Sequence, residues 1–164
     1  VDVVLDLMIH DIDLILSIVR SPVVAVDAIG SSVFSSEIDI ANARLRFANG
    51  CVANATASRV SLKTERKLRV FEDDAYLSID LHQKILTVIR KSSAPVPEGM
   101  PPVSIDERNF EQGDALRDEI AAFLESVATR SAPLVGGEDG LLALETAVQI
   151  TEQVRRSRAA FRQG

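Results

Sequence analysis

Asp6, His10 and Asp13 are the residues whose types and spacing could do chemistry in this chain. Spacings of four and three put these side chains on one narrow face of a helix with 3.6 residues per turn, and Ser17 and Arg20 continue the line. The surrounding residues, Val3, Val4, Leu5, Leu7, Met8, Ile9, Ile12, Leu14, Ile15, Leu16, Ile18 and Val19, are apolar. A helix apolar over most of its circumference is expected to be buried, and a buried carboxylate or imidazole needs a partner. Three readings of the stripe follow. It is an internally satisfied hydrogen-bond network around a core histidine. It is an acid/base site, since an imidazole flanked by carboxylates is suited to proton transfer near neutral pH. Or it is a divalent-cation site, which needs a further ligand from elsewhere, with His82 the only other histidine.

The elements that must position this stripe are legible from periodicity. The first helix is expected over 7–20 and stops at Ser21-Pro22, because the residue before a proline is pushed out of the helical region. A β-rich stretch spans 23–29. Segments 38–48 and 51–60 flank Asn49-Gly50, a strong hairpin signal, with Ala43, Leu45 and Phe47 alternating against Arg44 and Arg46. Segments 66–72, 75–81 and 84–90 continue the meander through reversals at Asp73-Asp74 and His82-Gln83. Residues 92–105, rich in Pro, Ser and Gly, read as a loop. Asp114 then caps a helix with apolar residues at Leu116, Ile120, Phe123, Leu124 and Val127. A break at 133–137 precedes a last helix that starts near Glu138-Asp139, with acid at its start and Arg155, Arg156 and Arg158 at its end, complementing the helix dipole. Gly136-Gly137-Glu138-Asp139-Gly140 reads as a turn and cap, because acidic residues at a helix start repel phosphate. The fold class is therefore α+β: an open, mostly antiparallel sheet of five or six strands with helices packed on one face.

The composition narrows the function. At 164 residues the chain is one domain, and a net charge of −6 without a basic block argues against a nucleic-acid partner. The longest apolar run is interrupted by Asp6, His10, Asp13 and Arg20, so no membrane span is expected. No positively charged leader is seen, and the expected location is cytoplasmic. Cys51, the single cysteine, is expected to be a small buried hydrophobe. Val1 stands already inside an apolar segment, which reads as a piece of something longer.

The stretch LDLMIHDIDLILSIV, with its Asp-x3-His-x2-Asp spacing, is followed by ANARLRFANGCVANATASRVS, RKLRVFEDDAYLSIDL and GEDGLLALETAVQITEQV. Together these resemble the C-terminal domain of the Gfo/Idh/MocA family of NAD(P)-dependent oxidoreductases, in order and over nearly all of residues 1–164. Within the family the likeness is to members acting on the 3-position of nucleotide-linked amino sugars. The resemblance implies a two-domain enzyme whose N-terminal Rossmann domain, absent from this chain, holds NAD or NADP. It implies that His10 exchanges a proton with the sugar hydroxyl, that Asp6 orients that group or the substrate, and that Asp13 contributes to substrate binding or to structure. No residue here is assigned to cofactor or metal: no strand is followed by G-x-G-x-x-G, and the family's lysine motif is missing. The isolated chain is then expected to bind no cofactor and to be inactive.

The function expected is the substrate-binding and acid/base half of a sugar or nucleotide-sugar dehydrogenase. The alternative is a non-catalytic oligomerisation scaffold. Either way the open sheet face, read as including Arg44, Arg46, Ala53 and Ala55, is expected to make a homodimer or higher homo-oligomer.

Overall fold

The computed structural model describes residues 1–93, 99 and 101–161, the side chain of Phe161 excepted. They fall into two compact units, Val1–Leu62 with Ser126–Gly164, and Lys63–Glu125.

The first unit begins with a π-helical turn, Val4–Met8, running directly into helix α1, Ile9–Val19. Met8, Ile12 and Ile15 form its buried face. The helix ends where Arg20 turns left-handed (φ 48°) and donates its backbone N–H to Leu16 O at 3.0 Å, just before Ser21-Pro22. Strands β1 (Val23–Ser31), β2 (Ile40–Phe47) and β3 (Val52–Ser58) form an antiparallel sheet in that order. The Asn49-Gly50 hairpin sits where expected, with Gly50 at φ 87° and Phe47 N–H bonded to Cys51 O at 2.9 Å.

On β2, Ala41, Ala43, Leu45 and Phe47 point into the core and Asn42, Arg44 and Arg46 point out. Register then corrects one expectation. Ala43 lies opposite Ala55 and Leu45 opposite Ala53, so Ala53 and Ala55 belong to the inner face with the core. The outward neighbours of Arg44 and Arg46 are Asn54 and Val52, because a strand alternates faces residue by residue.

Helix α3, Gly137–Phe161, packs on β1 and α1 through Ala143, Ala147, Ile150 and Val154. Its small residues allow close approach. At Gly30 the fit is tighter still: a Cβ there would stand 2.8 Å from both Ile40 O and Val154 Cγ1. The helix starts one residue before the expected Glu138, and Asp139 caps it by accepting the Gly136 amide at 2.7 Å. Cys51 is exposed instead of buried, because it follows the hairpin tip, where no element covers the strand start.

The second unit contains β4 (Lys67–Phe71), β5 (Ala75–Asp80), β6 (Ile85–Lys91) and β7 (Val103–Asn109), an antiparallel meander in sequence order. The α+β class is as expected, with the strands divided between two ladders of three and four. β7 carries the seventh strand, in a segment where the sequence signalled only a loop over 92–105 followed by charge. Residues 94–98 and 100 of that loop lie outside the described residues. β7 is charged and almost wholly exposed, as suits an edge strand that must resist further pairing.

Helix α2, Ala115–Thr129, starts at Asp114, whose carboxylate accepts the Arg117 amide at 3.1 Å. Its apolar spacing is as expected, but none of it is buried: Leu116, Ile120, Phe123, Leu124 and Val127 are each more than half exposed.

Candidate functional site

The N-terminal segment is fixed before the chemistry-bearing residues begin. Asp2 is buried, and its Oδ1 accepts the amides of Val4 and Leu5 at 3.1 and 3.0 Å, capping the π turn, while Oδ2 lies 3.6 Å from Arg155 on α3. Val3 donates its amide to Ile38 O at 2.9 Å, tying the segment to the connection that leads into β2. Within the turn the Ile9 amide reaches Val4 O, five residues back. Such wide turns are rare and concentrate at functional sites. Here the turn carries Asp6 and runs directly into the helix that carries His10 and Asp13.

The structure places the stripe on the open side of α1. His10, Asp6 and Ser17 are exposed, and Asp13 is half-buried. The expectation of a buried stripe is thus corrected. The helix docks through Met8, Ile12 and Ile15, and on the opposite face Leu7 and Ile18, which flank the polar line, are exposed. An internally satisfied core network is excluded by the same observation. Among the described residues no hydrogen bond or ion pair engages the His10 ring or the Asp13 carboxylate, and no group of three His, Cys, Asp or Glu side chains forms a cation site.

Asp6 does have a partner, one that local spacing did not reveal. The Arg59 guanidinium, just past β3, bonds its Oδ2 at 3.1 Å. Asp6 and Arg59 are about half and one third exposed, so the pair is worth only about 0–1 kcal/mol of stability. Its effect is orientation: it holds the Asp6 carboxylate toward the end of β3. Arg59 is placed in turn by its backbone, whose amide donates to Asp39 O at 3.0 Å.

Asp39 is the second buried carboxylate missed from sequence. It is 1% exposed, and its Oδ2 accepts the amides of Val33, Phe34 and Ser35 at 2.8, 2.8 and 2.9 Å, while the Ser35 hydroxyl donates to Oδ1 at 2.7 Å. The Ser35 hydroxyl first, then these amides, hold its carboxyl well below the usual carboxylate range.

His82 lies in the other unit, exposed in the β5–β6 turn. That turn is organised by Asp80, whose carboxyl is lowered by the Gln83 amide first and by the His82 amide and Lys67 after it. The 290 Å³ groove between β1 and α3, lined by Val23–Val26, Gln149, Glu152, Gln153 and Arg156, includes none of the stripe. It holds only the Glu152–Arg156 ion pair, so it is not where proton chemistry is expected. Among the described residues every strand pair is antiparallel, and the glycine-rich start of α3 carries Glu138 and Asp139 where a pyrophosphate would sit. No helix among the described residues is long and apolar enough to cross a membrane.

Comparison with known proteins gives a consistent pattern. Residues 2–78 match the family described as GFO/IDH/MocA C-terminal domain. UDP-N-acetylglucosamine 3-dehydrogenase from Acidithiobacillus ferrooxidans is 35% identical over 150 residues, 92% of this chain and 48% of that protein. Its solved structure superposes with a TM-score of 0.86, covering 94% of this chain and 49% of that one. At the level of fold alone, aldose-aldose oxidoreductase from Caulobacter crescentus has a TM-score of 0.71 at 21% identity, over 91% of this chain and 44% of that one. Levoglucosan dehydrogenase, solved with NADH and levoglucosan, has 0.74 at 17%, over 93% and 48%. The chain spans about half the length of the relatives it matches.

Proposed function

Because this chain belongs to the Gfo/Idh/MocA family, as its C-terminal domain, we propose that it is the substrate-binding and acid/base half of an NAD(P)-dependent dehydrogenase acting on a secondary hydroxyl of a sugar or nucleotide-sugar. The observation that carries this reading is the open polar line of α1: His10 with a ring that no described residue engages, and, one turn before it, an Asp6 carboxylate oriented by Arg59. A core histidine would be buried and bonded. This one is presented to whatever docks on that face.

In this reading His10 takes the proton of the reacting hydroxyl as the alcohol is oxidised, and returns it in the reverse direction. Asp6, fixed by Arg59, accepts a hydrogen bond from a neighbouring hydroxyl and sets the sugar's orientation. Asp13, one turn further on, supplies a second acceptor to the substrate or holds the His10 side of the helix. The nicotinamide belongs to a part of the enzyme outside these residues, and the isolated chain is proposed to bind neither NAD(H) nor NADP(H) and to be inactive alone. The test is His10→Ala and Asp6→Asn in the full-length enzyme carrying this domain, assayed with UDP-N-acetylglucosamine, the substrate named for the 35% identical relative. His10→Ala is expected to lower kcat by about 10²–10⁴ with little loss of folding stability. A wild-type kcat in that variant would overturn the assignment.

The assembly proposed with this role is a cytoplasmic homodimer or higher homo-oligomer through the sheet. The outer face of β1–β3 aligns Asp27, Arg44 and Asn54 across the strands, both charge signs on one patch, as a twofold self-contact requires. Light scattering at tens of micromolar should report a dimer or larger. A monomer would remove the assembly while leaving the chemistry standing.

A further inference from the structure

The loop between β1 and β2, residues 32–39, presents Phe34 with 84% of its surface exposed. A loop with an aromatic tip is ordinarily free to fold that ring back onto the protein, since burial of an aromatic is strongly favourable. This one is prevented from doing so. Three consecutive amides, those of Val33, Phe34 and Ser35, are held by one oxygen of the buried Asp39 carboxylate, and the Ser35 hydroxyl occupies the other. Val33 beside it is also half exposed, so the locked segment displays apolar surface without burying it.

The base of the same loop is built into the candidate site. Ile38 O accepts the Val3 amide at the head of the π turn, Asp39 O accepts the Arg59 amide, and the Arg59 side chain reaches Asp6. Asp39 is therefore one post serving two purposes: its carboxylate fixes the Phe34 tip, and its carbonyl fixes the residue that orients Asp6. The frame that holds Asp6 is thus shared with this loop.

Resting on the dehydrogenase reading above, we propose that Phe34 is a specificity-determining residue. Its ring takes a flat apolar face of the substrate at a point away from the reacting hydroxyl, and Asp39 is the positioning residue that holds it there. Two parts of a nucleotide-sugar offer such a face, the nucleobase and the C–H side of the pyranose.

The experiment uses the full-length enzyme. Phe34→Ala, a change at an exposed side chain, is expected to raise KM for UDP-N-acetylglucosamine about three- to tenfold, with kcat held within about twofold. Inhibition by UDP separates the two sources. Weakening of UDP by the same factor assigns the ring to the base, and unchanged UDP inhibition assigns it to the sugar. Asp39→Asn should move KM in the same direction and speed hydrogen exchange at the amides of 33–35. An unchanged KM in Phe34→Ala, with the kcat of His10→Ala lowered as expected, overturns this inference alone. A fall in kcat at unchanged KM also overturns it.

Discussion

Strand β2 and strand β5 carry comparable apolar content, yet β2 buries Ala41, Ala43, Leu45 and Phe47 to 3% exposure or less, while every residue of β5 remains only half-buried. The difference lies in what is laid on each. In the first unit α3 and the π turn cover one face of the three-stranded sheet, and the core runs from Val3 and Met8 through Leu45 to Ile150 and Val154. In the unit 63–125 no described residue is buried, although register gathers Leu68, Val70, Leu77, Ile79, Leu86 and Val88 on one face. Alternation makes a strand. It does not say whether the chain itself covers the apolar side, and the candidate chemistry sits on the unit where it does.

The contrast is broken or sharpened most strongly by paired truncations. Ile150→Ala is expected to cost about 2–5 kcal/mol, the range for a fully buried aliphatic side chain, while Leu77→Ala, at a half-buried position, should cost well under half as much. Urea unfolding followed separately in each unit reads both, and equal losses would erase the distinction. Gly30→Ala should cost about 1–3 kcal/mol, because the added methyl meets the Ile40 carbonyl, a backbone atom that cannot swing aside. A neutral result there in thermal unfolding would show that α3 can retreat from β1. Smaller still is Arg59→Met, expected to change stability by no more than about 1 kcal/mol while raising KM through a loosened Asp6. A larger stability loss would make the pair structural.

Acid titration probes the other buried carboxylate. The Asp39 carboxyl is depressed in the folded state, so its contribution is fully present above the ordinary value of 3.8 and is lost as pH falls through the folded one. Wild type should lose stability progressively below that value, and Asp39→Asn should show a flatter dependence over the same acid range. Identical slopes in denaturant titrations from pH 4 downward would contradict the role given to Asp39.

Much of the frame was legible because it depends on neighbours in sequence: the Asn49-Gly50 hairpin, the Ser21-Pro22 stop, the Asp114 cap and the in–out pattern of Ala43, Arg44 and Leu45. The site was legible as a line of residues and misread as to depth. Leu7, Leu14 and Ile18 made the helix look apolar all round, when its buried residues, Met8, Ile12 and Ile15, lie on one side. Arg59 pairs with a residue 53 positions away, and Asp39 acts through backbone amides, so neither has a spacing that local periodicity can show. The π turn depends on a capping carboxylate at Asp2, and β7 hides because an edge strand of Ser, Asp, Glu and Arg carries little apolar alternation.

The proton role proposed for His10 is tested most directly by chemical rescue. In the full-length enzyme, His10→Ala should turn over UDP-N-acetylglucosamine about 10²–10⁴-fold more slowly than wild type, and added imidazole should restore part of the single-turnover rate in proportion to its neutral form. A His10→Ala enzyme that oxidises the sugar at the wild-type rate without imidazole would contradict the account.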